Sequence, residues 1–153
     1  MKKMPNFTPC KELAFTMTLK EILNTNDRYA ASSGMTLTEV SEGVAKAEMT
    51  VEERHLNGGG VCQGGALFTL ADLAIAAVMN SHGVLTFGIQ NNITYLQSAQ
   101  KGDHLTATAR ERFNHPKIPY CDVEITNQDG KLIAIAAGQG YRKKDTMQYD
   151  ALQ

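Results

Sequence analysis

With 153 residues and a formal net charge of −1, the chain has room for one domain with a sizeable core. It has no electrostatic bias toward nucleic acid or an anionic membrane. Three cysteines, Cys10, Cys62 and Cys121, form an odd, unpatterned set with no metal-like CxxC spacing, which fits free thiols in a reducing cytoplasm.

Residues 1–10 carry Lys2, Lys3, Pro5 and Pro9 without an apolar stretch. They are expected to be a flexible arm rather than a secretory signal. From Lys11 to about Ala31, Leu13, Met17, Ile22, Leu23 and Tyr29 recur at roughly helical spacing, and Gly34 stops the segment. Strands are predicted at 34–40 and 43–51, turned by Glu42-Gly43. A glycine-rich loop then enters a helix predicted at about 64–80, ended by Ser81-His82-Gly83. That apolar run is broken by Thr69 and Asp72 and is too short and too polar for a transmembrane span.

Strand patterns fill the remainder, at 84–98, 103–114, 118–127 and 131–142. "NQDG" at 127–130 is the turn between the last two. The order gives an α+β fold, an antiparallel sheet with one helix on its face, as a single domain over 11–145 followed by a tail at 146–153.

The helix from Ala66 to Met79 is apolar on nearly every side, so it is expected to be enclosed, with a sheet wrapped round it. Asp72 is its one charge. A carboxylate there needs a partner, and desolvation would raise its pKa toward values useful in acid–base chemistry. The structural alternative is that a strand backbone or a lysine satisfies it. Gly64 and Gly65 stand where the helix begins, and both amides are expected to face outward unpaired. A ligand oxygen could approach them closely, aided by the helix dipole, which is the making of an oxyanion hole. Close helix–sheet packing is the rival explanation for this pair, and a flexible turn is the rival for Gly58-Gly59-Gly60.

Gly64 and Asp72 are eight positions apart, or roughly 12 Å along one helix at about 1.5 Å per residue. A carboxylate that activates water must work within hydrogen-bond reach of the reacting atom. One chain struggles to supply both groups to the same small reacting group. Two chains with antiparallel central helices would place each Asp72 opposite the other's Gly64, so a dimer with two interface sites is expected.

The stretch "HLNGGGVCQGGALFTLAD" closely resembles the "HxNxxGxxHGGxxxxLAD" signature of hotdog-fold acyl-CoA thioesterases. The closest group is the PaaI-like, phenylacetate-degradation family of the 4-hydroxybenzoyl-CoA thioesterase superfamily. The similarity covers about residues 20–143, including "NITYLQSAQKGDHLTATA" and "VEITNQDGKLIAIAAGQGYR". It implies a hotdog fold, with a curved antiparallel sheet around a long central helix, assembled as a dimer or a dimer of dimers. It also implies hydrolysis of a small or aryl acyl-CoA without a cofactor or metal.

Residue by residue, the resemblance makes Asp72 the base or nucleophile and the Gly64 amide the oxyanion donor, with Asn57 helping to hold the carbonyl or the water. Gln63, Gly65, Asn26 and Gly88 would line the substrate. Two departures stand out. Gln63 replaces the family's histidine and cannot carry a proton charge. Gly88 stands where relatives often place Ser or Thr, with Thr86 two residues away. These departures motivate the alternative of a non-catalytic acyl-CoA-binding module. A hydratase on the same fold would need the missing histidine.

His55 is expected to be structural, and Cys62 lacks a partner histidine for nucleophilic chemistry. Of Lys101, Arg110, Arg112, Lys117, Arg142, Lys143 and Lys144, most are expected to be solvated surface, with a few free to meet CoA phosphates.

Overall fold

In the computed structural model, which describes residues 17–147, a capping box opens the first helix. The Thr18 hydroxyl accepts from the Glu21 amide at 3.3 Å, and the Glu21 carboxylate accepts from the Thr18 amide at 2.8 Å. This helix, α1 (Leu19–Asn26), ends at Asp27, whose side chain accepts from the Ala30 amide and starts α2 (Arg28–Ser32). The single helix expected through Ala31 is therefore two, because an aspartate that caps the next turn interrupts the first. The expected arm at 1–10 and the helix start at Lys11 lie outside the described residues.

Two short strands follow, β1 (Thr36–Ser41) and β2 (Val44–Thr50), then a 3-10 turn at Glu53–His55 that the sequence patterns did not indicate. The long helix α3 (Gly64–Asn80) has the predicted bounds. Beyond it run β3 (Val84–Tyr95), β4 (His104–Phe113), β5 (Tyr120–Thr126) and β6 (Leu132–Thr146). The last strand runs on to Thr146, so the expected tail begins inside it, and residues 148–153 lie outside the description. Gly130 takes the positive φ (75°) anticipated for the turn at 127–130.

All six strands pair antiparallel in the order β1-β2-β4-β5-β6-β3 and curve around α3. This is the hotdog architecture. The positions facing the helix are small across the sheet: Ala45, Ala47, Ala107, Ala109, Ala134 and Ala136 are all buried. Small side chains let the sheet close on the larger Leu70, Leu73, Ile75 and Met79 of the helix, which fill the core between them.

The far end of α3 is locked to β3 by Asn80. Its Nδ2 donates to the carbonyls of Ala76 and Thr86, and its Oδ1 accepts from the Thr86 amide. That satisfies a helix terminus and sets where the strand starts. No helix among the described residues is long and apolar enough to cross a membrane.

The expectation that α3 is enclosed on all sides is corrected here. Gly65, Phe68, Thr69, Asp72 and Ala76 form a stripe turned away from the sheet, and Gly65 and Asp72 are exposed. One curved sheet covers only part of the helix circumference, and Phe68 on the open stripe is only partly covered by the described residues.

Candidate active site

The start of α3 is built by its own preceding residue. Gln63 is the N-cap; its amide donates to the His55 carbonyl at 2.7 Å, and its side-chain oxygen accepts from the Gly65 amide. The expectation that both glycine amides are unpaired is thus corrected for Gly65, because the side chain one residue before the helix reaches it first. The Gly64 amide has no partner among the described residues. A free N–H at a helix start, where the dipole adds positive potential, suits an oxygen that gains negative charge.

The same glycine also has a packing reason. A Cβ on Gly64 would lie 2.8 Å from the Tyr95 ring, and the Tyr95 hydroxyl donates to the Gly64 carbonyl at 3.0 Å. Both explanations of Gly64 hold at once: the absent side chain admits Tyr95 and leaves the amide approachable.

Asn57 governs the glycine loop. Its Oδ1 accepts from the Gly59 and Val61 amides at 2.8 and 3.3 Å, an Asx-type turn. Its Nδ2 makes no hydrogen bond among the described residues and remains available to donate. Asn57, Gly64, Leu67, Tyr95 and Cys62 line a cleft of about 340 Å³. A second cleft of about 370 Å³, lined by Tyr29, Met35, Gln63, Gly65 and Thr69, opens on the other side of the helix start.

Asp72 is two turns further along α3. Phe68, Ala71, Ile75 and Asn91 surround it within the chain, although its outer edge meets solvent. The crowding outweighs the opening: burial pushes the carboxyl above the ordinary carboxylate range, donation from Asn91 Nδ2 opposes this, and the charge of Asp27 adds to it. The structural alternative for Asp72, satisfaction by a strand backbone or a lysine, is not what the fold provides. Its partner is a side-chain amide on β3, which the sequence patterns missed. Asn26, exposed at the end of α1, immediately precedes the Asp27 that Asp72 senses.

Gly88, expected to line the substrate, and its neighbour Thr86 make no hydrogen bond to Asp72 among the described residues. Gly88 is exposed on β3 with open space around it. Thr86 is buried against the other end of α3, and its hydroxyl donates to the Val84 carbonyl at 2.8 Å.

His55 is structural, as expected: buried, with Nδ1 accepting from the Glu52 amide and Nε2 facing the Ser33 carbonyl at 2.8 Å. Burial, with the charge of Asp103 second, pushes the Cys62 thiol up to about 11. Among the basic residues, Arg142 is buried rather than solvated, while Lys101 and Arg112 pair with Glu53 and Asp122 at 2.6 Å. A hollow of about 310 Å³ on the outer sheet face, walled by Arg110, Arg112, Asp122 and Glu124, contains two of the basic residues considered for the CoA phosphates but none of the proposed catalytic or substrate-lining residues. It lies across the sheet from α3. No cluster of His, Cys, Asp or Glu suited to a metal ion occurs among the described residues.

Comparison with known proteins bears on the family and the fold. Residues 59–134 match the family model described as the Thioesterase superfamily. The acyl-coenzyme A thioesterase PaaI of Escherichia coli is 37% identical over 126 residues, spanning 82% of this chain and 90% of that protein. The E. coli PaaI structure superposes with a TM-score of 0.79 at 36% identity, covering 82% of this chain and 91% of that one. A Streptococcus mutans structure bound to acetyl CoA superposes with a TM-score of 0.71 at 26% identity, covering 74% of this chain and 91% of that one.

Proposed function

The chain belongs to the thioesterase superfamily, among its PaaI-like members, and on that footing we propose that it hydrolyses a small or aryl acyl-CoA to the free acid and CoA. The thioester carbonyl oxygen sits at the Gly64 amide, with Asn57 Nδ2 as second donor. Asp72 of a partner chain takes a proton from water as the water adds to the carbonyl carbon, or it attacks that carbon itself to give an acyl–aspartate anhydride that water then hydrolyses to the acid and the restored carboxylate. The tetrahedral oxyanion then collapses, the C–S bond breaks, and the CoA thiolate takes up a proton. No cofactor or metal enters this scheme.

The observation that carries the reading is the unpaired Gly64 amide at the start of α3, opening on a cleft of about 340 Å³. Asp72 lies about 12 Å further along the same helix, so the site is composed across a dimer, alone or within a dimer of dimers. The exposed stripe of α3 and the unpaired edge of β3 support that assembly. A cytoplasmic place in aryl-acid breakdown, such as phenylacetate degradation, fits the same reading.

Thiol release from a panel of acyl-CoAs tests it. Asp72→Asn should lower kcat by about 10²–10⁴-fold; equal rates for variant and wild type would remove Asp72 from the chemistry. Gln63, which occupies the Gly65 amide and leaves one free glycine donor, favours a second reading: an acyl-CoA-binding module without turnover. Ligand-induced stabilisation with no product from any acyl-CoA would establish that alternative.

A further inference from the structure

Asn91 reaches Asp72 because β3 changes register. Thr86 pairs with Arg142 and Gly88 with Gly140, but past a shift at Ile89 the pairs become Gln90 with Gln139 and Asn91 with Gly138. Uninterrupted alternation would turn Gln90 toward the helix. The extra residue turns Asn91 there instead, the re-aiming that bulges produce beside functional sites.

The opposite strand makes room for it. A Cβ on Gly138 would lie 2.7 Å from Asn91 Oδ1 and 2.7 Å from Ile75 Cγ2, so only glycine leaves the amide its place between β6 and α3. Within that place Asn91 Nδ2 donates to Asp72 Oδ1, while Asn91 Oδ1 is buried without a partner. A buried orphan oxygen is costly and calls for a reason. Here the reason is Asp72: among the described residues, no hydrogen bond other than that to its carboxylate holds the amide.

We propose that Asn91 is the positioning residue of Asp72, holding one carboxylate oxygen so that the other is presented along the open stripe of α3. The role is supplied by the bulge and by Gly138, from a strand position different from Gly88. The inference rests on the thioesterase reading for its catalytic consequence, but its physical content, control of the Asp72 carboxyl by Asn91, does not.

The test pairs Asn91→Leu, which removes the donor at similar size, with Gly138→Ala, which keeps asparagine but displaces its amide. Two readouts are taken: kcat and KM against pH, and titration of the Asp72 carboxyl carbon by NMR. Asn91 stabilises the ionised form, so its loss should move the Asp72 titration and the acid limb of kcat to higher pH. Misorientation should also lower kcat by up to about 10²-fold where Asp72 is fully ionised, with KM changed little. Gly138→Ala should shift both readouts in the same direction and decides the matter if Asn91→Leu does not fold. An unmoved Asp72 titration in a folded variant overturns the proposal. If wild type turns over no acyl-CoA, the functional reading fails, while the titration still decides whether Asn91 controls Asp72.

Discussion

The Cys62 thiol faces the same cleft as Gly64, yet it is held near 11 by burial and by Asp103, so almost none of it is thiolate at neutral pH. Cys62→Ala should therefore keep kcat within about threefold of wild type, and iodoacetamide should leave activity intact at pH 7.5. Rapid inactivation by the reagent would contradict this. Asp72 and Gly64 stand out in the chain because each is an odd residue for its setting, a charge in an apolar helix and a side chain omitted at a helix start; Asn57 is marked only by the resemblance of its stretch to the family signature. Asn91 could not be read the same way. Its orientation depends on a one-residue register shift, and nothing in "GIQNNITY" distinguishes Asn91 from Asn92 until the pairing with β6 is known. The occupied Gly65 amide was hidden for a similar reason, since Gln63 fits a ligand contact or a local cap equally well from its sequence position.

At the scale of elements, the end of α3 remote from the Gly64 amide is tied to a shared carboxylate. His82, just past the helix, places Nε2 2.8 Å from Glu111 on β4 and Nδ1 3.2 Å from Glu42 in the β1–β2 turn. Arg142 on β6 is buried, donates from Nη1 to the His115 carbonyl, and has Glu111 at 3.9 Å as its nearest carboxylate. Glu111→Gln removes the one negative charge these groups share. It should destabilise the fold by about 2–3 kcal/mol, or roughly 4–10 °C in Tm, without altering KM. An unchanged melting curve would mean that Arg142 draws its stability from elsewhere. The strands, α3 and the turn at 127–130 were legible because hydrophobic period and turn chemistry are local. The break at Asp27 and the buried Arg142 were not, because a capping side chain and a buried ion both follow from neighbours remote in sequence or from subtle competition within a turn.

At the scale of the whole molecule, the separation of Gly64 from Asp72 makes a prediction about subunits. Asn57→Asp keeps the Oδ1 that organises the glycine loop but replaces the free donor with a charge, while Asp72→Asn spoils the other half of the site. Each homomer should be nearly inactive. Co-expressed, the pair should regain activity: about a quarter of wild type in the unselected mixture after random assortment, and about half once heterodimers are purified through two different tags. No recovery would mean that both groups serve from one chain. β3 presents the other large consequence of the architecture. It carries no charged residue and no proline from Val84 to Tyr95, and it shows Phe87 and Ile89 to solvent along an unpaired margin. Such a margin invites indiscriminate strand addition. The neighbour on its other side, β6, is made only after β4 and β5, so during synthesis both margins of β3 stay open until late. Until β6 is in place, β3 can pair as readily with a strand of another copy as with its own partner, so order of pairing matters as well as final stability.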